Sequence, residues 1–312
     1  MDSTVNGKLV REKDWTPSYK IDGSGEIQIK NAKLTLDNKG AWLQNFSGTV
    51  TLGPGCTFDD AKDLNQPPIF GGATLKMAGA TISRFSWNDA AEYLNDVIIA
   101  DGTESTWWNQ QSRGSQGAHV NINGDISGSG KLIIQQKGWE PARCMKFNNC
   151  TFEGFTGTIE MHGINYEFHK PIKSGTFICT SGMNVGVATP NISIDKDVTW
   201  IMNNNDDYNL TCLSGATIGG DGNGKVNNLT LNENVKFRFT SDTALTDVST
   251  EYVALTVNNP ISGPLPLLEN ADNERGKWKL VVREIPAETE EGSPTYQLVA
   301  EFQKKGFIII ID

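Results

Sequence analysis

Carboxylates are the residues whose spacing comes closest to chemistry. Asp195 and Asp197 stand two positions apart in Ile194-Asp195-Lys196-Asp197-Val198. Alternate strand residues share a face, so their carboxyl groups fall within the ~5–10 Å that glycoside hydrolysis requires across a sugar. The same context equally describes a solvated strand end or turn. Asp59, Asp60 and Asp63 precede Pro67-Pro68 in what reads as a loop, Asp206 and Asp207 close an asparagine-rich turn, and Glu288, Glu290 and Glu291 share an acidic loop. A lyase also needs a basic residue to abstract a proton next to a neutralised carboxylate, and no Lys/Arg/Asp grouping stands out for that role. No residue is assigned a catalytic role, and the sequence favours a non-enzyme over a carbohydrate-active enzyme.

The other reactive side chains are equally dispersed. The three histidines, His119, His162 and His169, do not cluster; the last two flank a Tyr-Glu-Phe strand and read as surface or packing residues. Five cysteines (Cys56, Cys144, Cys150, Cys179, Cys212) show irregular spacing and no CxxC pair, which argues against structural zinc. They read as small apolar residues inside strands, with a Cys144–Cys150 disulfide as the alternative. Gly219-Gly220-Asp221-Gly222-Asn223-Gly224 is superficially similar to the turns of calcium-binding β-rolls, but the nonapeptide period is missing and a tight turn is the simpler reading. No cofactor and no metal is expected.

One pair stands apart. Trp107-Trp108-Asn109 sits in a polar stretch, and consecutive strand residues face opposite ways, so at least one indole points outward. An exposed indole beside an amide is suited to stacking on sugar rings or anchoring a partner; Trp107, Trp108 and Asn109 are therefore the candidate ligand-binding residues. The alternative is that the pair closes a loop over the flank. Five Asn-x-Ser/Thr sequons, Asn209-Leu210-Thr211 among them, are expected by chance in so Asn- and Thr-rich a chain.

The elements carrying these residues are short strands. Ile27-Gln28-Ile29, Val50-Thr51-Leu52, Leu75-Lys76-Met77, Val120-Asn121-Ile122, Ile192-Ser193-Ile194 and Leu229-Thr230-Leu231 place apolar residues at i and i+2. One face is buried and the other wet. Gly, Asn and Asp stand at nearly every corner between them. Helical periodicity is scarce, and only Trp87–Leu94 predicts a short helix or surface turn. Gly accounts for 32 of the 312 residues and hydrophobics for 38%, dilute for a thick globular core but natural for a narrow solenoid. The net charge of −10 excludes a nucleic-acid footprint. No apolar run is long enough to span a bilayer, and residues 1–20 hold no signal-like apolar segment.

Two phrases repeat. Gly23-Ser24-Gly25-Glu26-Ile27 followed by Phe46-Ser47-Gly48-Thr49-Val50 returns as Gly128-Ser129-Gly130-Lys131-Leu132 followed by Phe155-Thr156-Gly157-Thr158-Ile159. Gly-Ala-Thr phrases followed by Leu or Ile recur at 72–75, 79–82 and 215–218. Both describe a chain turning a corner and laying a strand on the previous coil. The first phrase resembles the autotransporter-associated β-strand repeat of bacterial passenger domains and secreted surface proteins. That resemblance implies a right-handed β-helix at the cell surface or outside the cell, with an architectural repeat that carries no enzymatic residues.

These observations predict an all-β fold: a single-stranded right-handed parallel β-helix over residues 21–257, preceded by a strand or cap at 1–20 and sealed by an antiparallel cap at 258–312. Coils of roughly 20–25 residues stacked at ~4.8 Å give about ten levels and a rod of order 50 Å. Phe307–Ile311 should be buried in the cap, since an exposed tetra-isoleucine run aggregates. The expected function is a non-enzymatic extracellular or cell-surface module, structural or adhesive, whose partners are glycans or other surface proteins; the alternative is a polysaccharide lyase or glycoside hydrolase.

Overall fold

The computed structural model describes residues 3–17, 20–35, 43, 45–60, 70–84, 91–110, 120–137, 145–163, 166–180, 191–204, 208–240, 245, 247–273, 276–287, 289 and 292–304. Among these the chain is all β, with no helix. Parallel pairing dominates. The longest path runs through eleven strands, from Lys33–Thr35 through Thr57–Asp60, Thr81–Arg84, Glu104–Gln110, Lys131–Lys137, Thr158–His162, Ile172–Cys179, Asn191–Met202, Thr217–Gly220 and Lys236–Phe239 to Leu267–Leu268. A Trp15–Leu34 bridge adds one level beneath it. Each strand pairs with its equivalent one coil on, which is the parallel β-solenoid read from the sequence. Coil length varies more than expected, from 18 residues (Lys8 to Glu26) to 31 (Lys236 to Leu267). Twelve levels at ~4.8 Å make a stack of roughly 50 Å.

Inward side chains form continuous columns. Leu132, Ile159, Phe177, Trp200, Ile218 and Phe237 occupy one position on successive coils, all buried. Phe177 stacks on Trp200 at 5.5 Å, Phe147 on Phe168 at 4.8 Å, and Trp200 Nε1 donates to Tyr208 Oη at 2.7 Å. Stacked rings satisfy the pattern because identical positions sit one rung apart, near the distance at which aromatic faces attract.

The two ends are built differently. Residues 3–15 already form a coil: Ser3–Thr4 and Lys8–Arg11 pair in parallel with Ile21–Asp22 and Glu26–Ile29. At the other end Tyr252–Val257, Thr295–Lys304, Gly276–Ile285 and Asp272–Asn273 build the antiparallel sheet. This sheet and the solenoid interleave. Thr256 and Val257 pair in parallel with Lys225 and Val226, and Leu267 and Leu268 extend the solenoid beyond the start of the cap sheet. Trp278 packs between Tyr252 and Phe302 at 5.4 and 5.2 Å. Phe307–Ile311 lies outside the described residues.

One local expectation is corrected, and of the two readings of the cysteines the buried, unpaired one holds for Cys150. Ala91–Tyr93, the second half of the predicted helix, is a strand paired with Val120–Ile122, because Tyr93 is needed inside the coil against Trp107; Trp87–Ala90 lies outside the described residues. Cys150 is a free thiol facing Asp125 Oδ1 at 3.4 Å, not one half of a disulfide; Cys144 lies outside the described residues. Cys56 and Cys212 are likewise free and buried, and Cys179 is buried in the same interior. Burial pushes the Cys56 thiol up to about 12 and raises Cys150 and Cys212 as well. We expect a disulfide-exchange reagent at pH 8 to label none of these four until denaturant is added, because the thiolate is the attacking species. Rapid native labelling at any of them, mapped by mass spectrometry, would contradict the stacked-core assignment.

Candidate functional site

Strand alternation divides the tryptophan pair. Trp107 is fully buried, packed edge-on against Tyr93 with ring centroids 4.7 Å apart, and its Nε1 has no hydrogen-bond partner among the described residues. It belongs to the core, which corrects its place among the ligand-binding candidates. Trp108 is half-buried on the outer wall, in register with Ser83 on one coil and Gln135 on the next. Asn109 pairs with Arg84 and Gln136 across the strands. The inward position sits beside Ile82 and Ile134 in the interior column, so the backbone has one solution for the pair: one indole in, one out.

The wall around Trp108 carries a charge chain that spacing alone did not suggest. Lys131 Nζ lies 3.1 Å from Glu104 Oε2 and 2.7 Å from Glu160 Oε2. Glu160 Oε1 is 2.6 Å from His162 Nε2, and His162 Nδ1 is 2.9 Å from Thr180 Oγ1. The Lys131 hydrogen bond, helped by His162, holds the Glu160 carboxyl below the usual range despite partial burial, and Glu160 with Glu104 raises Lys131. Thr180 has one hydroxyl proton and two acceptors in reach, His162 Nδ1 and Met161 O, the latter also at 2.9 Å. A Glu-His-hydroxyl chain is the order found in nucleophilic sites, yet this hydroxyl is shared with a backbone carbonyl. The His162 side chain is 37% exposed.

A second, parallel chain occupies another wall: Lys146 Nζ to Glu167 Oε2 at 3.2 Å, and Glu167 Oε2 to His169 Nε2 at 3.0 Å. The signal was in the sequence. Glu160-x-His162 and Glu167-x-His169 both place a carboxylate two positions before a histidine, on the same strand face. His119 lies outside the described residues.

Among the described residues the acidic clusters do not assemble. Asp59 lies on strand Thr57–Asp60 rather than in a loop, 2.8 Å from Lys33 Nζ, because the coil continues to Arg84 in register. Asp195, Lys196 and Asp197 lie between buried Ile194 and Val198. Three outward residues between two inward ones mark a corner, so the carboxylates do not share a flat strand face as an active pair would. Asp195 Oδ1 accepts from the Lys196 N–H at 2.7 Å. Asp221 accepts from the Asn223 backbone and side-chain amides at 3.0 and 3.1 Å, the hydrogen bonds of a tight turn. Asp63, Asp206, Asp207, Glu288, Glu290 and Glu291 lie outside the described residues.

What this wall can do is present an indole face, amides and hydroxyls at one-rung intervals: Trp108, Gln135, His162 and Thr180 follow one another coil by coil. A scan against protein-family profiles finds no match, and a search of curated proteins finds no relative.

Proposed function

We propose that this protein is a non-enzymatic extracellular or cell-surface module that contacts glycans through the wall centred on Trp108. The observation that carries the reading is the outward indole, set in a column of uncharged or hydrogen-bonding side chains on a rigid parallel sheet. Sugar rings offer apolar C–H faces to an indole and hydroxyls to amides, and side chains fixed on strands lose little freedom on binding. The repeat phrases around Gly25, Gly48, Gly130 and Gly157 resemble the autotransporter-associated β-strand repeat, which supports a surface location.

A glycan array comparing wild type with Trp108→Ala tests this. Binding should fall by about tenfold or more in the variant, the loss typical of a truncated aromatic anchor. Array signals unchanged in Trp108→Ala would remove the indole from the site. Cleavage of a bound polysaccharide by wild type would replace the adhesive reading with the enzymatic one.

A further inference from the structure

A second outer wall carries an array with no aromatic residue in it. Strands Asn191–Met202, Asn209–Cys212 and Asn228–Leu231 stack so that Asn191, Asn209 and Asn228 share one column and Ser193, Thr211 and Thr230 the next. Every residue between and just after these positions is buried, so both polar columns face outward. Ser262 bridges to Thr230 and adds a fourth hydroxyl one level on. Three of the five sequons are therefore one feature, written three times by the coil repeat.

The two columns differ in what they leave free. The amides are engaged with each other: Asn209 Nδ2 donates to Asn191 Oδ1 at 2.9 Å, and Asn228 Nδ2 to Asn209 Oδ1 at 2.6 Å. Among the described residues no protein group hydrogen-bonds the hydroxyls of Ser193, Thr211 or Thr230. Each keeps a donor and two acceptor sites directed at solvent. The hydroxyls repeat every ~4.8 Å along the stack, and the columns lie ~6.5 Å apart. None of the seven positions is charged, in a chain whose net charge is −10.

That combination selects an occupant. An uncharged wall has no pairing for a sulfated or uronic glycan, and without an apolar core it lacks what a protein interface buries. A row of free hydroxyls at a constant interval suits a ligand that repeats its own hydroxyls at a similar interval. We propose that this wall binds a neutral, unbranched polysaccharide laid along the solenoid axis, about one ring per coil, with Ser193, Thr211, Thr230 and Ser262 exchanging hydrogen bonds with its hydroxyls. The inference rests on the glycan reading above and assigns the neutral chain to a wall other than that of Trp108.

Calorimetric titration with neutral linear gluco- and manno-oligosaccharides of increasing length tests it. Affinity should rise up to about four units, one for each hydroxyl level. Thr211→Val/Thr230→Val keeps the β-branched shape and removes two hydroxyls, and should weaken binding about tenfold while leaving circular dichroism unchanged. Thr211→Ser/Thr230→Ser should retain binding, and so should Trp108→Ala. Undiminished affinity in the valine variant overturns the assignment. Loss in Trp108→Ala alone also overturns it, while leaving the first wall standing as the glycan site. Self-association of wild type that the valine variant abolishes, without oligosaccharide binding, assigns the wall to a second copy and overturns it as well. Absence of binding to any glycan at millimolar concentration removes both readings.

Discussion

Asp125→Ala is expected to destabilise the protein by about 3–5 kcal/mol in urea unfolding, more than any other single surface carboxylate. Asp125 Oδ1 accepts from the backbone amides of Ile126 (2.9 Å), Thr151 (3.0 Å) and Phe152 (2.7 Å), and Oδ2 from the Thr151 hydroxyl (2.8 Å). It ties the corner of one coil to the turn of the next. That turn is held against a penalty, since Phe152 has φ 58°, a left-handed conformation that bulky residues avoid. Its reward is a fully buried ring within 5.0–6.4 Å of Phe147, Phe155, Phe168 and Phe177. Removing the carboxylate strands the Thr151 and Phe152 amides and releases the turn. Asp125→Asn retains an acceptor oxygen and should cost only about 1–2 kcal/mol.

Acid dependence separates the two variants further. Burial of Asp125 works to raise its pKa, but the hydrogen bonds from Thr151, Phe152, Cys150 and Ile126 outweigh it and leave the carboxyl lowered. A carboxyl lowered on folding contributes stability that is whole above the unfolded value of about 4 and drains away as pH falls through the folded value. Glu160 acts in the same direction. Wild type should therefore lose stability steeply below about pH 4, and Asp125→Asn should lose less over the same window. Parallel slopes for the two proteins would show that the carboxylate contributes nothing through its charge.

Gly157→Ala is the second large effect, expected at about 4 kcal/mol. A Cβ at Gly157 would stand 2.1 Å from the carbonyl oxygen of Gly130 and 2.9 Å from the Phe155 ring. Gly48 meets the oxygen of Gly25 in the same way, at 1.9 Å. In each case the glycine lies directly over the carbonyl of a glycine one coil below, so the backbone must move to admit a methyl group. Gly154→Ala is the internal comparison: its φ is +78°, but a Cβ there would meet nothing within 4 Å, so only backbone strain of about 1–2 kcal/mol applies. Equal losses for the two variants would mean that steric contact between coils is not what the repeated phrase encodes.

Much of the architecture was legible because a solenoid writes its packing locally. Each alternating triplet, such as Ile27-Gln28-Ile29, states its own buried face, and the repeated glycine phrases state where coils touch. The Ala91–Tyr93 strand was misread because alanine and glutamate favour helix, while the partner that overrides them, Val120–Ile122, is remote in sequence. The same limit applied to the outer walls. Strand alternation required Trp107 and Trp108 to diverge, but which indole faced the core depended on register with Ile82 and Ile134. The Lys131–Glu160–His162–Thr180 chain spans three coils, and the asparagine and hydroxyl columns emerge only when 18- and 19-residue offsets are laid over one another.

The interleaving of Thr256–Val257 and Leu267–Leu268 with earlier coils makes the two extremities mechanically unequal. Among the described residues the coil of 3–15 pairs on one face only and can open by breaking one set of pairs, whereas the cap sheet and the last coil must let go together. Under tension or in native-state hydrogen exchange, opening should begin at residues 3–15 and travel toward the cap, so that the protein unravels in one direction, like a spring anchored at its base.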